Sequence, residues 1–222
     1  MSDAVQAALW VSLLAVGVGA CVALRKLGVP STYVRDVLHV GAGAWVLGWP
    51  AWNGWIVPSA ITSLAALTTG SMPLLASRSG AAAAFRDSVS GGDEGWMGLI
   101  LYTLAFAVLT PIGLRGEPFP PAAGLAALCF GDGIGGAVGR RFGRHSFAIP
   151  GAKTKSVEGT VAVAISSAVA IAAVAAGLGR PVGLATCALL GVVAAAAEAL
   201  SPRSSDNLFV PASVFAVALA LT

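Results

Sequence analysis

Three observations predict an all-α fold, a polytopic transmembrane bundle of about eight helices. Of the 222 residues, 57% are hydrophobic and only 10% are charged. The mean hydropathy of +0.85 lies outside the range of a soluble domain of this length. Apolar runs of roughly 20 residues, the length a helix needs to cross a bilayer, recur about eight times. Finally, the basic residues sort onto alternate connections, as expected where cytoplasmic loops collect Lys and Arg. Residues 1–222 read as a single integral-membrane domain.

The runs fall near residues 4–24, 37–51, 55–76, 96–114, 120–138, 157–178, 181–200 and 207–222. The first lacks a basic flank and a small-residue cleavage site, so it reads as a retained helix and not a signal peptide. The second and eighth are short, and only Pro50 to Gly54 separate the second from the third, which leaves a count of seven open. With eight spans, Arg25, Lys26, Arg35, Arg78, Arg86, Arg140, Arg141, Arg144, Lys153, Lys155 and Arg203 share one side, and only Arg115 and Arg180 take the other. That split puts the basic loops in the cytoplasm and both termini outside. Cys21, Cys129 and Cys187 sit in or beside apolar runs without CxxC spacing, which argues against a disulfide framework or a zinc site. The net charge of +3 comes from the cytoplasmic loops and suits contact with anionic lipids; nothing points to nucleic acid. Alanine runs such as Ala194–Ala197 suit close helix packing, within one chain or between two, so an oligomer stays open.

Charge concentrates in one place. The segment Cys129–Thr160, CFGDGIGGAVGRRFGRHSFAIPGAKTKSVEGT, holds Asp132, Arg140, Arg141, Arg144, Lys153, Lys155 and Glu158 between two apolar runs. Gly131, Gly133 and Gly136 satisfy G-x-G-x-x-G but lack the βαβ setting of a dinucleotide fold. Gly131, Gly135 and Gly139, spaced by four, would equally give a smooth packing face. Asp132 is costly near the end of an apolar span unless it binds a cation, pairs or reaches water. Lys155 and Ser156 stand where the next helix starts, and free N–H groups and the helix dipole there favour phosphate. Ser156 can alternatively cap that helix. Asp206 and Asn207 precede the last span on the same face, after Glu198; a helix cap is the plainer reading of Asn207. Two carboxylates beside a glycine-rich basic loop suit magnesium-assisted phosphoryl transfer. His39, preceded by Arg35 and Asp36, reads either as a histidine satisfied by a helix carbonyl or as a general base. The loop around 78–95, with Arg86, Asp87, Asp93 and Glu94, reads as a solvated connection.

At these residues the chain resembles the phytol kinase and dolichol kinase family of CTP-dependent membrane lipid-alcohol kinases. CFGDGIGGAVGRRFG is similar to the family's GDG segment, GAKTKSVEGTVA to its K-S/T-x-E/A-G-S/T segment, and EALSPRSSDNLFVP to its closing segment; VRDVLHVGAGAWVLGWP and GLILYTLAF match more weakly. The resemblance implicates Asp132, Lys155, Glu158, Asp206 and Asn207 in nucleotide and metal binding or catalysis, and His39 matches an early element. Asp36 stands where the family usually has a basic residue, and Gly135-Gly136 where phytol kinases commonly have Ala-Asp. The expectation is transfer of a γ-phosphoryl group, from CTP or ATP, to an isoprenoid alcohol such as phytol, farnesol, geranylgeraniol or a polyprenol. Asp132 and Asp206 would hold Mg²⁺, with Asp132 also catalytic. Lys153, Lys155 and Arg140 or Arg141 would hold the phosphates, with Gly131, Gly133, Ser156 and Asn207 at the nucleotide. His39 or Glu158 would take or orient the hydroxyl proton. A cytidylyltransferase acting on a membrane lipid is the nearest rival, although its usual signature is missing; a small-ion or solute transporter is the rival of another class.

Overall fold

The computed structural model describes residues 1–76, 80, 83, 96–152, 154–202 and 205–222. The connection carrying Arg78, Arg86, Asp87, Asp93 and Glu94, together with Lys153 and Arg203, lies outside the described residues.

Eight helices follow the predicted runs: α1 (Asp3–Lys26), α2 (Ser31–Ala42), α3 (Ile56–Ala76), α4 (Met97–Arg115), α5 (Phe119–Phe142), α6 (Val157–Gly177), α7 (Leu184–Leu200) and α8 (Asp206–Leu221). Among the described residues, α1, α4, α5 and α6 are long and apolar enough to cross a membrane by length and composition. The second run is where the structure, among the described residues, departs from the expected spans. Its helix begins at Ser31, directly after Pro30, and ends at Ala42. A single turn, Ala44–Leu47, and a 3₁₀ turn, Trp49–Ala51, complete the run expected at 37–51. The break falls at two glycines in close contact with other helices. A Cβ at Gly43 would lie 2.5 Å from the Phe130 ring, and one at Gly48 would lie 2.4 Å from Trp10.

The bundle is arranged around α5. Every residue from Phe119 to Cys129 is buried, because α4, α6 and α8 all pack against this helix. Small residues allow such approaches, both to α5 and between α6 and α7. A Cβ added at Gly124 would lie 2.6 Å from the carbonyl oxygen of Pro211 on α8, and one at Gly191 would lie 2.3 Å from that of Ala164 on α6. By contrast, α1 exposes Val5, Leu9, Val11, Leu13, Leu14 and Val16, a surface suited to hydrocarbon and not to water.

Polar contacts gather at opposite helix ends. At one end, Asn53 donates its backbone N–H to Asp3 Oδ1 (2.9 Å), Arg115 lies over the Trp55 ring (4.6 Å), and Arg180 pairs with Glu117. The other end carries the segment of concentrated charge.

Candidate functional site

Three features of α5 set the position of Asp132. Pro120 and Pro121 lie in the first turn, where a missing N–H costs little. The helix then widens into a π-helical stretch, Ala127–Asp132, an irregularity common at functional sites. Beyond it, the glycines of α5 lie directly on α6. A Cβ at Gly131 would meet Ser167 Oγ at 2.0 Å, one at Gly135 would meet Val163 Cγ2 at 2.2 Å, and one at Gly139 would meet the Gly159 Cα at 3.3 Å. The spacing-by-four face is thus an α5–α6 packing seam. Gly133 is buried on the other side, 3.3 Å from the His39 Cβ by the same measure.

The segment after α5 folds back as a two-stranded antiparallel ribbon, β1 (Ser146–Phe147) with β2 (Lys155–Ser156), and leads into α6. Ser156 caps α6, its Oγ accepting from the Gly159 N–H at 3.1 Å. Glu158 fastens the ribbon. Its Oε2 accepts from the backbone N–H of Arg144 (3.0 Å) and His145 (3.3 Å), and its Oε1 lies 2.6 Å from His145 Nδ1.

The helix ends and the ribbon enclose a cavity of about 430 Å³. Asp132 and Arg140 reach it from α5, Lys155 and Ser156 from the ribbon, Glu198 from α7 and Asp206 from α8, with Thr32 and Arg35 from α2. Lys155 pairs with Glu198, whose side chain is only 8% exposed. Arg140 pairs with Asp36, also largely buried. Among the described residues, no group of three or more His, Cys, Asp or Glu side chains converges as an all-protein metal cage. Two carboxylates nonetheless suit Mg²⁺, which keeps several waters and shares itself with phosphate oxygens. Thr160 Oγ1 is buried at the cavity wall without a hydrogen-bond partner among the described residues.

A buried polar chain lies behind Asp132. His39 Nε2 is 3.1 Å from Asn207 Oδ1 and 3.6 Å from Asp132 Oδ2. Asn207 Nδ2 donates to the Gly98 carbonyl at 3.0 Å, which leaves Oδ1 as an acceptor toward the histidine. His39 therefore carries its proton on Nε2 and a lone pair on Nδ1. Tyr102 lies against the ring, centroids 4.2 Å apart, and donates its O–H to the His39 carbonyl at 3.0 Å.

The structure thus brings Asp132, Arg140, Lys155, Ser156 and Asp206 to one cavity, with His39 and Asn207 immediately behind. Gly131 and Gly133 lie at helix contacts, Glu158 lies in the first turn of α6 and bonds to Arg144 and His145, and Arg141 is exposed in the last turn of α5. Arg35, Asp36, Glu198 and Thr160 were not singled out by sequence as site residues. One signal for Glu198 was available, namely an acid close to the end of an apolar helix; Arg35 and Asp36 lie one turn before His39.

No family model and no solved structure matches the chain. A curated protein does: the phytol kinase of Synechocystis sp. is 30% identical over 190 residues, which cover 82% of this chain and 76% of that relative. With that coverage, and with a helical bundle whose charged cavity opens at one set of helix ends, the chain belongs to the phytol kinase family of integral-membrane lipid-alcohol kinases.

Proposed function

We infer that this protein transfers the γ-phosphoryl group of CTP to the hydroxyl of an isoprenoid alcohol such as phytol, at the cytoplasmic face of the membrane. The observation that carries the reading is the convergence of Asp132 and Asp206 with Arg35, Arg140 and Lys155 in one cavity. The relative's name supports the alcohol class. An oxygen of the alcohol attacks the γ-phosphorus, the bond to the bridging oxygen breaks, and the nucleoside diphosphate leaves. Little covalent chemistry falls to the protein, so its work is alignment and electrostatics.

Lys155 and Arg140 hold phosphate oxygens, and their carboxylate partners keep both side chains at the wall. Asp132 and Asp206 are the residues that would hold Mg²⁺. That ion, when bound, neutralises charge on the phosphoryl oxygens. His39 restrains the Asp132 carboxylate from behind, and Asn207 holds the histidine in its Nε2–H tautomer. Neither His39 nor Glu158 is free to take the hydroxyl proton: the Nε2–H of His39 faces Asn207 behind Asp132, and Glu158 is engaged by His145 and two backbone N–H groups, so orienting that proton falls to the Asp132 carboxylate at the cavity.

Labelled phosphate tests the reading. Purified protein given γ-labelled CTP and phytol should yield labelled phytyl phosphate, and a parallel set of lipid alcohols and nucleotides should rank the substrates. Release of pyrophosphate would instead indicate a cytidylyltransferase. Absence of both products with every alcohol and nucleotide would leave a transporter as the surviving reading.

A further inference from the structure

We propose that Asp36 is a positioning residue for nucleotide binding, setting the direction in which the Arg140 guanidinium faces the cavity. This rests on the reading of that cavity as a phosphate site. Asp36 belongs to α2 and is 8% exposed, whereas Arg140 is in the last helical turns of α5. The two meet because the Arg140 side chain runs back over Gly136, one turn earlier. A Cβ at Gly136 would lie 3.2 Å from Arg140 Nη1 and 3.8 Å from Asp36 Oδ1, so the bare backbone leaves the route that the arginine uses. Tyr33, one turn before Asp36, completes the seat, with the Arg140 Cζ 5.4 Å from its ring centroid.

A guanidinium is planar and carries five N–H donors in a fixed fork. Holding one edge on a carboxylate therefore dictates where the other donors point. Arg140 lines the cavity while paired to Asp36, so its remaining donors are available to a bound anion without a search through side-chain rotamers. The pairing also gives the buried carboxylate a partner, which a largely buried charge requires. Asp36 itself is not among the residues lining the cavity, so its influence on a ligand passes through Arg140.

Equilibrium binding of radiolabelled CTP to the full-length chain in nanodiscs with Mg²⁺ tests this, comparing wild type, D36N, R140A and D36N/R140A. Each single change should raise Kd roughly tenfold, the scale of one charge-assisted contact, and the double variant should be no weaker than R140A. Asp36→Glu should restore most of the affinity, because the carboxylate is kept. Gly136→Ala leaves both charges in place and disturbs only the crossing, so a smaller loss is expected there, and this variant serves if D36N does not fold. Wild-type affinity in D36N with weak binding in R140A, or losses that multiply in the double variant, would overturn the positioning role and leave the cavity reading standing. Wild-type affinity in R140A removes that residue from the phosphates and the inference with it. If wild type binds neither CTP nor ATP, the cavity reading falls as well.

Discussion

Asp132 and Glu158 show how the same side-chain chemistry takes different work from its surroundings. Both are carboxylates in the segment of concentrated charge, and the sequence resemblance implicates both. Asp132 lines the cavity beside His39, whereas Glu158 spends its oxygens on two backbone N–H groups and His145. Asp132→Ala should cut turnover by about 100-fold or more while the protein stays folded in membrane, as expected for loss of transition-state electrostatics; a coupled assay beside a detergent-stability measurement checks both halves. Glu198→Ala leaves the Lys155 ammonium without its partner at a site where its side chain is only 16% exposed. Removing one member of such a pair costs about 3 kcal/mol, which should appear as a lower unfolding temperature in detergent. Lys155→Ala should chiefly raise the nucleotide KM, and an unchanged KM would count against its phosphate role. Sequence alone picked out Asp132 because a carboxylate near the end of an apolar run is expensive, Lys155 because it stands at a helix start that favours phosphate, and Asp206 because it precedes the last span on the same face. The pairings of Asp36 and Glu198 were not legible there, since their partners lie 104 and 43 residues away.

At the scale of elements, glycines decide which helices approach. The G-x-G-x-x-G match is resolved by contact: Gly131 meets α6, Gly133 meets α2 and Gly136 lies under the Arg140 side chain, while Gly135 and Gly139 join Gly131 against α6. Gly135→Val should destabilise the bundle, because the nearest obstacles to even a Cβ include the Val163 backbone nitrogen at 3.1 Å and the Gly159 carbonyl at 3.2 Å. Overpacking of this kind costs about 1–3 kcal/mol. Ser156→Ala removes the α6 cap and should cost about 1 kcal/mol, with little change in turnover if capping is its main role; thermal denaturation and a rate assay together separate the two. The helices themselves were legible, since apolar runs of bilayer length have few alternatives. The broken second run was less so. Its Gly43 and Gly48 lie against Phe130 and Trp10, contacts that chain neighbours do not reveal.

For the whole molecule, the lopsided distribution of Lys and Arg predicts a cytoplasmic cavity and two outer termini. The three native cysteines are buried, so introduced thiols can be labelled over a low background. Ala148→Cys in the ribbon should react with an impermeant maleimide only in inside-out vesicles, and Thr222→Cys only in intact cells or right-side-out vesicles. The reverse pattern would place the cavity outside and remove access to cytoplasmic nucleotide.

The sequence by itself determined the all-α membrane class, the approximate spans, the segment where charge concentrates and the family resemblance. These are written in composition, period and local spacing, which need no knowledge of partners. Only the tertiary structure decided that α2, α5, α7 and α8 bring their polar ends to one cavity, that Arg140 and Lys155 are held by buried carboxylates, and that Glu158 ties the start of α6 to Arg144 and His145. Those outcomes depend on which residues a helix meets across the bundle, and such meetings are set by close packing of small side chains rather than by position along the chain.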